Sequence, residues 1–360
     1  MYGNSQTVPL ADFVDSFIPA CYAGKLPTLV VTLEQAGVDK YSQELARVMP
    51  VNTIESGRYL SLPQTYRLMG LIMKEKGIIH LPNQNFARYA LFRRNPFIIT
   101  VHDLIRFRFR FDPETPLERI LLGLDVLGIR QASHIIATSQ HTRNDLIKYL
   151  HLPEENITCI YDGVNHDIFL TDGPRPYPEP YILYVGSERP RKNLGRLLEA
   201  FAELKKYFPE LKLVKVGEAG RHIGYRRDTV KKLDNLGIRQ DVIFVDHISE
   251  SELSRYYHSA ELLAYPSLYE GFGLPPLEAM CCGCPVVTTN SSSLPEVVGD
   301  AGILVDPYDV GGWVQAMKKV LTDDHLKVEM VRKGLERSKR FSWEKTARET
   351  LQVYEKAASV

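Results

Sequence analysis

The stretch Tyr265-Pro-Ser-Leu-Tyr-Glu-Gly-Phe-Gly-Leu-Pro-Pro-Leu-Glu-Ala-Met280 carries two carboxylates, Glu270 and Glu278, on either side of a glycine turn. Gly271 and Gly273 permit a backbone path that other residues resist. Pro276 suits the first turn of a helix, where its missing N–H is not needed. That helix is expected to run to about Cys282 and to be stopped by Gly283 and Pro285. Its unpaired amides and positive dipole end would receive a pyrophosphate or sugar hydroxyls. Glu278, read as lying in the first turn, has a carboxylate able to accept two hydrogen bonds from a ribose. Glu270, ahead of the turn, would reach the other end of the same ligand, a sugar. A single glutamate here would do no more than favour the helix dipole; two in one Gly-rich strand-to-helix turn point to a site.

Two more positions could act on such a ligand. Arg191-Lys192 follow a strand and Gly186; they would oppose the negative charge that grows on a leaving diphosphate, or else form an ordinary solvated helix start. His102 ends the apolar run Phe97-Ile-Ile-Thr-Val101, at the C-terminal end of a strand where sheets of this kind bind ligands. A histidine that merely finishes a strand is the plainer reading.

These residues need a scaffold, and the chain reads as α/β throughout. Short Val/Ile-rich runs (Thr28–Leu33, Gly77–Leu81, Phe97–Val101, His134–Thr138) alternate with segments of helical period (Val38–Val48, Gln64–Lys76, Leu117–Gln131, Gln140–Leu150), the rhythm of parallel strands with helices on both faces. Thr171–Pro180 holds four prolines and a glycine and can continue neither helix nor central strand. The rhythm restarts with strand Tyr181–Val185, helix Leu194–Tyr207 and strand Leu211–Val216, and further strands are expected at Val242–Val245, Leu262–Tyr265 and Pro285–Thr289. This gives a first domain over 1–172, a linker over 173–180, a second domain over 181–341 and a final amphipathic helix within 342–360. Two doubly wound domains facing one another place a cleft at the C-terminal ends of their sheets. Residues 1–26 fit the rhythm poorly.

Composition narrows the function. At 360 residues, the chain suits two cores rather than one. Lysine plus arginine equals aspartate plus glutamate, 44 each, so no global field suggests a nucleic-acid partner. Within 58–110, however, ten Lys/Arg face two acids, Glu75 and Asp103. Arg106-Phe-Arg-Phe-Arg-Phe111 alternates strictly, as a strand with one charged and one aromatic side would. With Arg88, Arg93, Arg94 and the 64–76 helix, this stretch would form a basic face for an anionic acceptor or a peripheral membrane contact, or a solvated face. Five cysteines give no disulfide framework, and Cys281, Cys282 and Cys284 lack the partners of a zinc tetrahedron, so no metal is expected. No apolar run approaches the roughly 20 residues of a membrane span and no signal peptide is evident; a cytoplasmic protein, peripheral at most on the inner face of a membrane, is the expectation.

The segment Tyr269–Met280, YEGFGLPPLEAM, with seven residues between Glu270 and Glu278, resembles the donor motif of glycosyltransferase family 4. So do Tyr184-Val-Gly-Ser-Glu-Arg-Pro-Arg-Lys-Asn193, Ser293-Leu-Pro-Glu-Val297, Phe341-Ser-Trp343 and, in the first half, the His102-Asp103 pair, Ser139 and Asp162-Gly-Val164. The resemblance implies the GT-B fold: two Rossmann-like domains, a nucleotide-sugar donor in the cleft, and a last helix crossing back to the first domain. It implies transfer with retention and no metal or other cofactor. By resemblance, Glu270 contacts the donor sugar and Glu278 the ribose, while the backbone of Gly271, Phe272, Gly273 and Leu274 holds sugar hydroxyls and phosphate. Lys192, after the Gly186 turn, would bind the donor phosphates. The family's companion arginine is replaced by Ser187, so Arg189 or Arg191 would take its place. His247-Ile248 would cradle the base, His102 would touch the sugar near the reacting carbon, and Gly37 would let the backbone approach acceptor and diphosphate. The GSERPRKN form points to mannosyltransferase-like members, with GDP-mannose as first donor, UDP-glucose next, and a glycan or lipid-linked precursor as acceptor. A catalytically idle partner subunit and a GT-B sugar-nucleotide epimerase are the rival readings. A nicotinamide dehydrogenase is disfavoured because no strand is followed by G-x-G-x-x-G.

Overall fold

A computed structural model describes residues 27–32, 38–49, 51–56, 62–109, 115–220 and 223–358. Residues 1–26, Gly37, Arg58 and Arg110-Phe111, on which readings from the sequence fall, lie outside these. The described chain forms two compact units, one from residues up to 104, 115–163 and 343–358, the other from 105–109 and 164–342.

The first unit runs β1 (Thr28–Thr32), α1 (Val38–Val48), β2 (Asn52–Ser56), α2 (Leu62–Lys74), β3 (Ile79–Leu81), a 3-10 turn (Gln84–Ala90) and β4 (Phe97–Val101). A short helix α3 (Ile105–Arg108), which packs with the second unit, precedes α4 (Pro116–Gln131), β5 (His134–Ala137), α5 (Gln140–Leu150) and β6 (Ile157–Cys159). All pairings are parallel, in the order β2-β1-β3-β4-β5-β6. Every residue of the central β4 is buried, which is why its sequence is an unbroken apolar run rather than an alternation. The chain moves one way along the sheet from β1 to β2 and the other way through β3, β4, β5 and β6. Right-handed crossovers therefore put α1 on one face and α2, the 84–90 turn, α4 and α5 on the other.

Local chemistry sets these elements. Thr115 and Glu118 form a reciprocal capping box at the start of α4, with Pro116 at the first position. Ser139 caps α5 by accepting from Thr142 N–H. Gly128 lets α4 lie directly on the 84–90 turn, because a Cβ there would stand 2.3 Å from the Ala87 carbonyl oxygen.

The second unit runs β7 (Tyr181–Val185), α6 (Leu194–Leu204), β8 (Lys212–Val216), α7 (Ile223–Leu236), β9 (Val242–Val245), α8 (Glu250–Ser259), β10 (Leu262–Tyr265), α9 (Leu274–Cys281), β11 (Val286–Thr289), α10 (Leu294–Val298), β12 (Ile303–Val305), α11 (Val310–Thr322) and α12 (Asp324–Ser338). Its parallel sheet has the order β12-β11-β10-β7-β8-β9, with the direction of winding reversing between β7 and β10. The last helix, α13 (Trp343–Ala358), returns to the first unit and packs with α1: Tyr41, Leu45, Trp343, Leu351 and Tyr354 share one buried cluster. Its buried positions 343, 346, 347, 350, 351, 353, 354 and 357 keep the helical period.

Two expectations change. Arg106–Phe111 is not a strand over its described part; Ile105–Arg108 is helical, and the Arg108 guanidinium and Phe109 ring lie 5.2 and 5.3 Å from the Tyr269 ring. Alternation over so few residues does not fix a period, and packing on Tyr269 decides it. Residues 164–172, read with the first half, pack with the second. The Phe169 ring meets Tyr257 and Leu170 N–H donates to Ser254 Oγ at 2.9 Å.

Candidate donor site

The reversal between β7 and β10 opens a crevice beyond their C-terminal ends, the usual ligand position in such sheets. The loops that follow these two strands carry the candidate residues. After β7, Gly186 takes φ 151°, and a 3-10 turn over Pro190–Lys192 leads to Asn193 in the left-handed region. After β10 come Pro266–Gly273. The loops are stapled together: Leu268 N–H donates to Arg191 O at 2.8 Å, and Asn193 Nδ2 donates to Pro266 O at 3.1 Å and Pro307 O at 2.8 Å.

Glu270 is buried, and one of its oxygens gathers the site. Oε1 accepts from Lys192 Nζ at 2.6 Å, Arg191 Nη1 at 3.1 Å, Tyr265 OH at 3.0 Å and Ser267 Oγ at 2.5 Å. Oε2 lies outside this set. Burial alone would raise the carboxyl pKa, but the Lys192 and Arg191 charges outweigh it and hold it down to about 2. Burial lowers Lys192 to about 8, against the opposing pull of Glu270. Two cations converge on one carboxylate, a concentration of positive charge that suits an anionic ligand. Arg191 thus joins Lys192 at Glu270, whereas Arg189 points its stem at Gly220, 3.4 Å from where a Cβ would stand.

The glycine turn is held from behind. Glu270 N–H donates to Ser292 Oγ at 3.0 Å, and Ser293 Oγ–H reaches Glu270 O at 3.1 Å and Phe272 O at 2.5 Å. Gly273 sits at φ 126°, and a Cβ there would come within 2.9 Å of Leu294. The helix α9 begins at Leu274, two residues earlier than Pro276. Pro275 and Pro276 carry no N–H and Leu277 N–H bonds to Gly273 O, so the donors of this helix start are those at and ahead of Leu274, fewer than a free first turn offers. The earlier start also moves Glu278 one residue past the first turn. Its buried carboxylate accepts from Tyr257 OH of α8 at 3.0 Å, so it is placed by packing rather than by the helix dipole.

A second network joins the ends of β7, β8 and β9. Glu188 Oε1 accepts from Arg226 Nε at 2.6 Å and stands 3.3 Å from Lys215 Nζ, and the side chains of Glu188 and Lys215 are fully buried. Lys215 also donates to the Gly217 and Glu218 carbonyls, and Arg226 Nη2 to Asp246 at 2.8 Å. His247, exposed, and Ile248, half-buried, follow in the β9–α8 loop.

In the first unit, His102 is buried at the C-terminal end of β4. Its Nε2 lies 2.8 Å from the Pro82 carbonyl, which can only accept, so the proton is on Nε2 and Nδ1 presents a lone pair. Burial lowers its pKa to about 4, so it is neutral at physiological pH. The Tyr41 ring meets it edge-on at 5.0 Å, and Gln84 Oε1 accepts from its backbone N–H.

Residues 27–168 match the family described as "Glycosyltransferase Family 4", and 170–337 match "Glycosyl transferases group 1". Over 292 residues, 77% of this chain and 74% of the relative, the chain is 31% identical to O-antigen chain mannosyltransferase B of Escherichia coli. The chain belongs to glycosyltransferase family 4. It is therefore a hexosyltransferase. It is also 32% identical over 269 residues to the serotype-specific mannosyltransferase WbdA of Escherichia coli, matching 69% of this chain but only 32% of that longer protein. The fold of this glycosyltransferase agrees with that of Anabaena HepE crystallised with UDP-glucose, at a TM-score of 0.77 and 18% identity over 93% of this chain and all of that one (100%).

The glycosyltransferase brings Glu270, Lys192, Arg191 and the 271–274 turn into one group, with Glu278 on the helix that follows. Tyr265, Ser267, Ser293 and Tyr257 were not singled out as site residues by sequence. For Ser293 the signal is the Ser293–Val297 motif, and Tyr265 and Ser267 lie in the 265–280 stretch itself; Tyr257 is brought in by the fold alone.

Proposed function

We propose that this glycosyltransferase transfers mannose from GDP-mannose, with retention of configuration, to a hydroxyl of a glycan or lipid-linked glycan precursor. The observation that carries the reading is the convergence of Lys192, Arg191, Tyr265 and Ser267 on Glu270 Oε1. That arrangement fixes the carboxylate and turns Oε2 to a sugar hydroxyl, while the two cations lie where diphosphate charge develops. With positive charge supplied by these side chains, no metal is required. The acceptor oxygen bonds to the anomeric carbon as the carbon–phosphate-oxygen bond breaks on the same face. The departing phosphate oxygen takes the acceptor proton, so no protein base is needed. His102, neutral and with Nδ1 as acceptor, receives a hydrogen bond from a donor-sugar hydroxyl and positions it. Glu278 holds the ribose, and the 247–248 loop holds the base through its backbone.

Mannose is favoured by the two E. coli mannosyltransferase relatives; UDP-glucose is the second donor, as HepE was crystallised with it. Nucleotide release from a donor panel, with and without glycan acceptors and with and without EDTA, tests the reading. GDP release stimulated by acceptor and indifferent to EDTA is expected. Silence with every donor would favour an idle partner subunit, and an epimerised donor would favour an epimerase.

A further inference from the structure

The Glu188 network crosses the C-terminal end of the second unit's sheet, and Arg226 is the side chain that spans it. Glu188 stands two residues after Gly186, in the loop that carries Arg191 and Lys192. Asp246 follows β9 directly and precedes His247 and Ile248. Because β8 separates β7 from β9, no strand pairing joins the loops after β7 and β9. Arg226, in the first turn of α7, does join them. Its Nε donates to Glu188 Oε1 at 2.6 Å and its Nη2 to Asp246 Oδ1 at 2.8 Å.

The two ends of this link differ. At the Glu188 end everything is fixed. The Glu188 and Lys215 side chains are fully buried, 3.3 Å apart, and Glu188 N–H donates to Ala219 O at 3.0 Å. A Cβ on Gly217 would come within 3.1 Å of Gly186 O, so this loop lies directly on the end of β8. Apolar side chains of similar size would hold these elements together without the cost of burying charge. They would not orient a guanidinium. The plane of Arg226 is set by the two acids and by the Phe244 ring, whose centroid lies 4.3 Å from Cζ. At the other end Asp246 is 66% exposed. An exposed ion pair is worth little by itself, but here the arginine is anchored below the surface, so Asp246 is tied to a fixed point.

We infer that Arg226 is a positioning residue that sets the spacing between the phosphate loop, 186–193, and the base loop, 247–248, so that both ends of one nucleoside diphosphate are met at once. This rests on the donor site proposed above. A ligand whose two ends meet preset subsites gains over either fragment through effective concentration, and the gain is lost when the spacing drifts. Lysine cannot substitute, because one ammonium does not hold two carboxylates in the fixed directions of a guanidinium.

The test compares the dissociation constants of GDP, inorganic pyrophosphate and guanosine on the full chain, for the wild type, Arg226→Lys, Asp246→Ala and the double variant. Each single substitution should weaken GDP about tenfold while changing pyrophosphate and guanosine by less than about twofold. The double variant should bind GDP no more weakly than the singles, because both remove the same link. Asp246→Ala leaves the buried Glu188–Lys215 pair in place, so it decides the matter if Arg226→Lys does not fold. GDP affinity unchanged by the substitutions would overturn the inference. So would a matching loss for pyrophosphate or guanosine, which would make Arg226 a direct contact or a general support of the fold. The same pattern with UDP and uridine in place of GDP and guanosine would support the spacing role and correct only the donor named above. A wild type that binds neither nucleotide would remove the donor site itself, and the inference with it.

Discussion

Lys192 Nζ and Glu270 Oε1 lie 2.6 Å apart, an ion pair with both side chains almost wholly withdrawn from water. A buried pair of this kind is costly to form, and removing one partner strands the other. Its value is positional: Lys192 arrives from the loop after β7 and Glu270 from the loop after β10, so the pair fixes the two sides of the crevice against each other.

Lys192→Ala is therefore expected to lower kcat by about 10²–10³ by withdrawing charge from the leaving phosphate. Thermal unfolding should show a smaller accompanying loss of stability, because Arg191 remains on Glu270. An unchanged kcat would remove Lys192 from the donor phosphates.

The same lysine sets a pH limit. Its ammonium, lowered to about 8, loses its proton as pH rises through that value, while Glu270, held at about 2, stays ionised. Donor kcat/KM should fall above pH 8. Lys192→Arg should abolish that alkaline limb whatever its absolute rate, because a guanidinium remains charged. A limb of equal midpoint in the arginine variant would assign it to another group.

Asp162 gives a separate pH signature, in stability. It is buried in the first unit, its Oδ1 has no hydrogen-bond partner, and burial raises its pKa from 3.8 to about 8. Between those values the folded state holds a proton that the unfolded state has released, so stability falls as pH rises, by about 1.4 kcal/mol per unit from this group. Asp162→Asn should flatten the decline in Tm between pH 5 and 8 and raise Tm at pH 8. A wild type whose Tm is level over that window, or an asparagine variant that declines in parallel, would contradict this.

The central strands were legible in the sequence because burial on both faces demands unbroken apolar runs: Phe97–Val101, Tyr181–Val185 and Leu262–Tyr265 appear with the bounds expected. The strands that went unread, Asn52–Ser56, Ile157–Cys159 and Ile303–Val305, are all sheet edges, where half the burial and half the signal are missing. At the site, Glu270, Lys192 and Glu278 stand out because each sits at a loop or helix start marked by glycine or proline. Tyr257, inside a helix, carries no such punctuation. Glu188, Lys215 and Arg226, from a loop, a strand and a helix, lie 27 and 11 residues apart in sequence and are joined only by the fold. Within the 58–110 charge run, the partners of Arg88 and Arg93 are not legible in the sequence: the acid that neutralises Arg88 lies 37 residues away, and the carbonyls that hold Arg93 lie on another helix end.

In the proposed function the two glutamates divide one nucleotide sugar, Glu278 on the nucleoside and Glu270 on the sugar. GDP-induced thermal stabilisation and GDP-mannose turnover, measured on Glu278→Ala and Glu270→Ala side by side, separate the two roles. Glu278→Ala should weaken GDP binding by about tenfold or more through the lost ribose hydrogen bonds. Glu270→Ala should keep most of the GDP-induced shift and lose turnover by about 10²-fold or more. Equal and small effects from both substitutions would contradict the account and place the donor elsewhere.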